Sequence, residues 1–120
     1  MIFQPLIENS IYHGLNDKLN RGEEDVQLII SGFKSGVKLC FIIKDNGKGM
    51  TENEINQVME KNKKKHIDGE VHIGIKNIHE RIQYAFGEEY GLSIESKTGE
   101  FTTVRVELPA ILKKGEGLNG

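Results

Sequence analysis

Several features are scarce in this sequence of 120 residues, and each scarcity excludes a class of protein. The chain has one cysteine, Cys40, which rules out an internal disulfide and suits a reducing compartment. Because Cys40 lies inside an apolar run, we expect it to be a small buried side chain. No stretch approaches the roughly 20 apolar residues of a membrane span, and no signal-peptide pattern opens the chain. We therefore expect a soluble, cytoplasmic protein.

Charge of one sign is also scarce. The 16 basic and 18 acidic residues leave a formal net charge of −2, with a pI near 6.1. Such a chain has no global field that attracts nucleic acid or an anionic membrane, so we expect no nucleic-acid partner. Any anion that it binds must be held by local groups.

The apolar patterns predict two long helices. Residues 5–20 have helical spacing, with Pro5 in the first turn, where its missing N–H costs little. A second helix is predicted over residues 74–86 and ends at Gly87. Its predicted inward side chains are Ile75, Ile78, Ile82, Ala85 and Phe86. Between the two, Thr51 and Glu54 have the capping-box spacing ahead of a short amphipathic helix.

Four β-rich runs predict two hairpins. The first joins residues 26–33 and 37–45 through a turn at 34–36, and the second joins 92–97 and 102–109 through a turn at 98–100. Two hairpins and two long helices predict an α/β two-layer sandwich, with a sheet covered by helices on one face.

The length predicts one domain, which we place at residues 1–112. The glycine-rich residues 113–120 are predicted to be a disordered or artificial tail. Because a strongly patterned segment opens the chain at once, we expect it to be a piece of a longer protein.

The stretch DNGKGM, residues 45–50, directly follows the apolar run GVKLCFII. Asp-Asn-Gly is by itself a strong turn signal, but an ordinary turn needs only one of the two glycines. Two other features stand out. The first helix has a polar face that includes Asn9, and Gly74 stands where the second long helix begins. A helix start offers unpaired N–H groups and a partial positive charge, so the region of Gly74 is a candidate phosphate site.

Three stretches, PLIENSIYHG, DNGKGM and IGIKNIHERI, resemble in this order the N box and the two glycine boxes of the catalytic and ATP-binding domain of sensor histidine kinases. That family belongs to the superfamily of gyrase, heat-shock chaperone and mismatch-repair ATPases. The forms QPLIEN and NIHERI are most similar to the LytS/YesM branch. The resemblance runs over about residues 3–109 and implies the Bergerat-type ATP-binding fold with a mixed sheet. Since family members carry strand structure ahead of the N box, it also implies an N-terminally truncated domain.

The resemblance implies ATP and Mg²⁺ as cofactors. Asn9 would bind Mg²⁺ through its side-chain oxygen, which suits a hard cation; the alternative is a polar surface residue. Asp45 would accept a hydrogen bond from the amino group of adenine. Gly47 and Gly49 would let the base lie against the backbone, because a Cβ there would occupy the volume of the base.

Other roles follow from the same resemblance. Gly74 and the amides after it would hold the phosphates, with Asn77 nearby. Glu8 either positions Mg²⁺ or a water, or is a solvated acid that stabilises the helix dipole. His13 either reaches the phosphates or is a bystander on the helix face. Further nucleotide contacts fall on Met50, Ile75, Thr102 and Thr103.

Residues 51–72 would form a mobile ATP lid, with Gly69 as a hinge. Four lysines in this segment either face the phosphates or form an ordinary solvated loop; they are Lys61, Lys63, Lys64 and Lys65.

The chain departs from the family pattern at a few positions. Tyr12 stands where many relatives have a lysine. His72 replaces the glycine that usually opens the second glycine box, and Phe101 replaces the second glycine of a late GxGT pattern. With Tyr12, the positive charge that a lysine would supply near the phosphates is absent at that position. His72 and Phe101 change the glycine pattern expected of the phosphate-binding loop.

The leading hypothesis is a histidine kinase module that presents the γ-phosphate of Mg-ATP to a histidine on a separate dimerisation domain. The implied partners are that domain and a response regulator, within a membrane-attached homodimeric parent. One alternative is a self-contained ATPase, although Pro5 occupies the position of its general-base glutamate. Another is a nucleotide-sensing or protein-interaction domain with a degenerate pocket.

Overall fold

The computed structural model describes residues 3–59 and 73–110. Its elements are α1 (Phe3–Asn9), a π-helical segment (Ser10–Leu15), α2 (Asn16–Asn20), β1 (Leu28–Ser35), β2 (Lys38–Asp45), α3 (Glu52–Met59), α4 (Ile73–Phe86), β3 (Gly91–Lys97) and β4 (Phe101–Pro109). The first three follow one another without a break, and we call them together the N-terminal helix. Of the predicted lid, the residues from 60 to 72 lie outside the described part, with Gly69, His72 and the four lysines. The predicted tail lies outside it as well.

The strands form a four-stranded sheet in the order β1-β2-β4-β3. The two hairpins are antiparallel because their turns are short, and they join edge to edge through an antiparallel pairing of β2 with β4. The predicted α/β architecture is confirmed. The expected mixed sheet is wrong for the described strands, since all three of their pairings are antiparallel.

Helices cover one face of this sheet. The N-terminal helix contributes Leu6 to the core, α3 contributes Val58, and α4 contributes three isoleucines. The strands supply alternate residues, as expected when successive side chains point to opposite faces. The buried cluster consists of Leu6, Ile43, Val58, Ile75, Ile78, Ile82, Leu92, Val104, Val106 and Leu108. None of the helices in the described ranges is long and apolar enough to cross a membrane.

Local sequence signals explain where the helices begin and end. The capping box is formed: Glu54 N–H donates to Thr51 Oγ1 at 3.1 Å, and Thr51 N–H donates to Glu54 Oε1 at 2.9 Å. α4 ends before Gly87, whose φ of +114° favours glycine. Ala85, predicted to point inward, is exposed. It lies on the same side of the helix as Ile78, but in the last turn of α4, which ends at Phe86.

The first hairpin turns slightly later than predicted. Ser35 pairs with Lys38, so the turn consists of Gly36 and Val37 rather than residues 34–36. Gly36 adopts a φ of +62°, and this conformation places the turn at the glycine.

Charged side chains protect the opposite face of the sheet, which we call the open face. Cys40 lies on it and is nevertheless fully buried, as the sequence predicted. The guanidinium of Arg105 lies 5.6 Å from the centre of the Phe33 ring, and its Nη2 is 3.5 Å from Cys40 Sγ. Lys44 lies in the same way over the ring of Phe101, at 5.1 Å. These stems and rings cover Cys40 and its neighbours, while Ile29 and Phe33 on β1 stay 53% and 44% exposed, and no helix of the described residues packs on this face.

The DNGKGM loop is joined to the N-terminal helix by a close backbone contact. Lys48 N–H donates to the carbonyl of Gly14 at 2.9 Å. A Cβ on Gly47 would lie 1.9 Å from that same carbonyl oxygen. Gly49, with a φ of +73°, packs against β3, where a Cβ would lie 2.3 Å from the carbonyl oxygen of Lys97. Contacts within the protein therefore require both glycines, and the volume of a bound base is not needed to explain them.

We expect Gly47→Ala to destabilise the fold by about 3 kcal/mol, because its overlap with a backbone carbonyl cannot be relieved by a side-chain rotation. Gly22→Ala is the matched control: Gly22 has a φ of +73° but nothing within 4 Å of an added Cβ. It should cost about 1 kcal/mol, from backbone strain alone. Urea unfolding measures both. Equal losses would show that the helix and the loop are not in tight contact.

Candidate functional site

Asp45 is the last residue of β2 and is only 1% exposed. Its Oδ1 accepts the N–H of Gly47 at 2.9 Å, and the hydroxyl of Ser10 also donates to the carboxylate. Burial raises the pKa of the Asp45 carboxyl above its ordinary value, and the two hydrogen bonds oppose that rise. The site thus contains a buried acid held in one orientation by two donors.

The N-terminal helix lies directly over this acid. A Cβ on Gly14 would come within 2.7 Å of Asp45 Oδ1, so only glycine lets the helix approach so closely. Ser10 and Gly14, one turn apart, both belong to the π-helical segment. A π turn inside an α-helix is rare and is often found at functional sites.

Asn9 and Glu8 lie just ahead of this segment. Asn9 is half-buried and adjoins Ser10, so it lies on the turn that covers Asp45. Glu8 is exposed and accepts a hydrogen bond from Gln4 Nε2 at 3.2 Å. His13 lies within the π-helical segment. The roles of all three toward Mg²⁺ and phosphate stay predictions.

A second polar cluster holds the other end of the loop. Ser96 Oγ accepts the N–H of Met50 at 2.7 Å and donates to the carbonyl of Phe101 at 2.6 Å. It also lies 2.9 Å from Thr102 Oγ1. Thr102 is 6% exposed and pairs with Asp45 across β2 and β4. The structure therefore brings Met50 and Thr102, two predicted site residues, to the loop that Asp45 begins.

Thr103 does not join this group. It pairs with Lys44 on the open face, whereas Asp45 and Thr102 face the helices. Its side chain therefore lies on the other face from Asp45, because neighbouring residues of one strand point to opposite faces; its predicted nucleotide contact stays a prediction for which only its backbone is suitably placed.

The predicted phosphate residues lie at the start of α4, within its first five residues. Gly74 is its second residue, and Asn77 is exposed. Ile75 is 1% exposed and belongs to the core, which leaves only its backbone for a ligand. The first-turn amides of a 14-residue helix are suitable donors for phosphate oxygens.

A groove of about 520 Å³ lies elsewhere, between α3 and α4, and is lined by Met59, Lys76, His79, Glu80, Gln83, Tyr84 and Glu88. Neither Asp45 nor Thr102 lines it. The segment between α3 and α4 lies outside the described residues. The candidate site is therefore defined by the hydrogen-bonding groups around Asp45 and Thr102.

Three residues of the site were not predicted as functional: Ser10, Gly14 and Ser96. Ser10 and Gly14 carried a signal, since two small residues at i and i+4 predict a close approach to the helix. Ser96 carried none, because a serine in an alternating strand is ordinary.

We expect Asp45→Asn to raise the free energy of unfolding at neutral pH. An amide oxygen can still accept from Gly47 and Ser10, while the buried charge is removed. The folded pKa of Asp45 is raised, so its favourable contribution is complete below the ordinary value of about 3.9 and is lost as the pH rises through the folded pKa. The advantage of the variant should therefore shrink as the pH falls. Urea unfolding across pH tests this, with the exposed Glu95→Gln as control; a pH-independent difference would contradict it.

Comparisons with known proteins identify the family of the chain. The family model described as "Histidine kinase-, DNA gyrase B-, and HSP90-like ATPase" matches residues 1–111. The chain is 28% identical, over 111 residues, to a protein of Staphylococcus epidermidis named "Uncharacterized sensor-like histidine kinase"; the match covers 92% of this chain and 20% of that protein. It is also 28% identical, over 109 residues, to "Sensor protein kinase HptS" of Staphylococcus aureus, with 91% and 20% covered.

The chain thus spans 20% of the length of these two relatives. The family match, by contrast, extends over nearly all of the chain, from the N-terminal helix through β4. This chain belongs to the histidine kinase, DNA gyrase B and HSP90-like ATPase family, and it is an ATP-binding domain similar to those of sensor histidine kinases.

Proposed function

We propose that this chain is the catalytic domain of a two-component sensor histidine kinase, which binds Mg-ATP and donates its γ-phosphate to a histidine on a separate dimerisation domain. The observation that carries the proposal is the buried Asp45 carboxylate, held by Gly47 and Ser10 beneath the helix that contains Asn9. The domain extends over residues 1–112, and residues 113–120 are a tail.

Adenine recognition rests on Asp45. A carboxylate that already receives two hydrogen bonds still has lone pairs for an amino group. Because the surroundings are dry, this charged hydrogen bond gains strength that it would not have in water. The backbone of Met50 and the Thr102 side chain lie next to this position and complete the contact with the base.

The phosphates bind at the first turn of α4. The amides that follow Gly74 donate to phosphate oxygens, and Asn77 lies about one turn further along the helix. Asn9 offers an amide oxygen and would hold Mg²⁺, a hard cation that prefers oxygen ligands. When bound, Mg²⁺ neutralises the charge that develops on the phosphoryl group. Glu8 and His13 flank Asn9 and help to position the γ-phosphate.

Transfer depends on positioning, as phosphoryl transfer generally does. The chain holds the nucleotide, excludes water from the base and presents the γ-phosphate, while the histidine nucleophile comes from the dimerisation domain. The phosphorylated histidine then supplies a response regulator. The parent protein is a membrane-attached homodimer with this domain in the cytoplasm, and its branch is LytS/YesM.

We expect Asp45→Ala to remove the preference for adenine. The unsubstituted chain should bind ATP more tightly than GTP by about tenfold or more, since a charged hydrogen bond contributes ~1.5–3 kcal/mol. Calorimetric titration with each nucleotide and Mg²⁺ measures the preference. Glu95→Ala, which removes an exposed carboxylate on the open face, should leave it unchanged. Equal binding of ATP and GTP by the unsubstituted chain would refute the role of Asp45.

The chain alone should turn over ATP very slowly. Pro5 stands where hydrolysing relatives have their base, and Glu8 is exposed to solvent and paired with Gln4. With radiolabelled ATP, we expect negligible label on this chain, slow phosphate release, and label on an added dimerisation domain of the same parent. Rapid hydrolysis abolished by Glu8→Gln would assign the chain to the ATPase class instead.

A further inference from the structure

Three polar side chains form a row across the sheet on the face toward the helices. Asp45 on β2 pairs with Thr102 on β4, and Thr102 pairs with Ser96 on β3. Directly paired residues of antiparallel strands have Cβ atoms about 5 Å apart, so each member of the row is beside the next. Asp45 is 1% exposed and Thr102 6%, so water competes little for their hydrogen bonds.

The contacts of Ser96 determine the direction of each hydrogen bond. A hydroxyl has one proton to donate and two lone pairs that accept. Ser96 gives its proton to the carbonyl of Phe101, at 2.6 Å, and one lone pair takes the N–H of Met50, at 2.7 Å. The contact with Thr102 Oγ1, at 2.9 Å, must then use the remaining lone pair. Thr102 is therefore the donor in that contact.

Because the Thr102 hydroxyl donates its only proton to Ser96 Oγ, its oxygen can only accept a hydrogen bond from a ligand. The ionised Asp45 beside it is also an acceptor. We infer that Ser96 is a specificity-determining residue: by holding the Thr102 proton, it makes the floor of the base site a pair of acceptors that selects a donor group.

This inference rests on the proposed function and adds to it the reason for base selectivity. The exocyclic amine of adenine has two N–H groups and can donate to both Asp45 and Thr102. A purine with a carbonyl at the same position, such as hypoxanthine, turns lone pairs toward both acceptors. The mismatch leaves buried groups unpaired, which discriminates more strongly than a lost apolar contact. Ser96 is a positioning residue, since it acts through Thr102.

The test compares the dissociation constants of ATP and inosine triphosphate by calorimetry, with Mg²⁺, for the full chain. In Ser96→Ala the Thr102 hydroxyl becomes free to rotate and to donate to a carbonyl. We expect the preference for ATP over inosine triphosphate to fall by about tenfold, the value of one buried hydrogen bond. Ser96→Thr keeps a hydroxyl and should restore the preference. Ser93→Ala, an exposed position on the open face of the same strand, should leave it intact.

A double substitution separates selectivity from general loosening of the loop. In a Thr102→Val background there is no hydroxyl to orient, so Ser96→Ala should no longer change the preference. If Ser96→Ala weakens both nucleotides by the same factor, Ser96 only supports the loop and the inference is overturned. If the unsubstituted chain prefers inosine triphosphate, the assigned direction of the hydrogen bonds is wrong. If the unsubstituted chain binds neither nucleotide, the proposed function itself fails.

Discussion

The contact between the carbonyl of Gly14 and the loop at Gly47 and Lys48 determines the rest of the site. The 2.9 Å hydrogen bond from Lys48 N–H joins two elements that are far apart in sequence. The contact forms only because neither Gly14 nor Gly47 has a side chain. As a result the helix closes over Asp45, and a carboxylate at a strand end becomes a buried acceptor. Burial of the Asp45 carboxyl raises its pKa. The same exclusion of water strengthens the hydrogen bonds that the carboxylate accepts, so a group that cannot donate to it is disfavoured.

Stability and binding therefore place opposite demands on one residue. An ionised carboxylate beneath a helix costs folding free energy, which the donors Gly47 and Ser10 reduce without removing. In the proposed function, the same carboxylate accepts a hydrogen bond from an amine. Conflicts between local stability and the global fold are expected where a protein binds its ligand.

Much of the fold could be predicted from the sequence, because its signals are local. The capping box of Thr51 and Glu54, the stop at Gly87 and the alternation in β4 each depend on residues near one another in the chain, and each is found in the structure. Strand pairing across the hairpins depends on distant residues, so the all-antiparallel sheet was missed. Within the site, the three boxes singled out Asp45 and both glycines, which the structure places in one loop against the N-terminal helix; their roles toward a nucleotide stay predictions. The reason given for the glycines was incomplete, since the Gly14 carbonyl is invisible in the sequence of the loop. Ser96 could not be found, because its role comes from three partners brought together only by folding.

The open face has a consequence for how a larger protein can be arranged around this domain. Arg105 over Phe33 and Lys44 over Phe101 place two cations on that face, where Ile29 and Phe33 are 53% and 44% exposed. Docking another apolar layer there would require stripping water from those cations or swinging them aside, and either step costs free energy. In the proposed kinase, a neighbouring domain that approaches the helical side or the sheet edges avoids this cost. Under that proposal, residues on the far side of the sheet from the nucleotide restrict the direction from which a phosphate acceptor approaches.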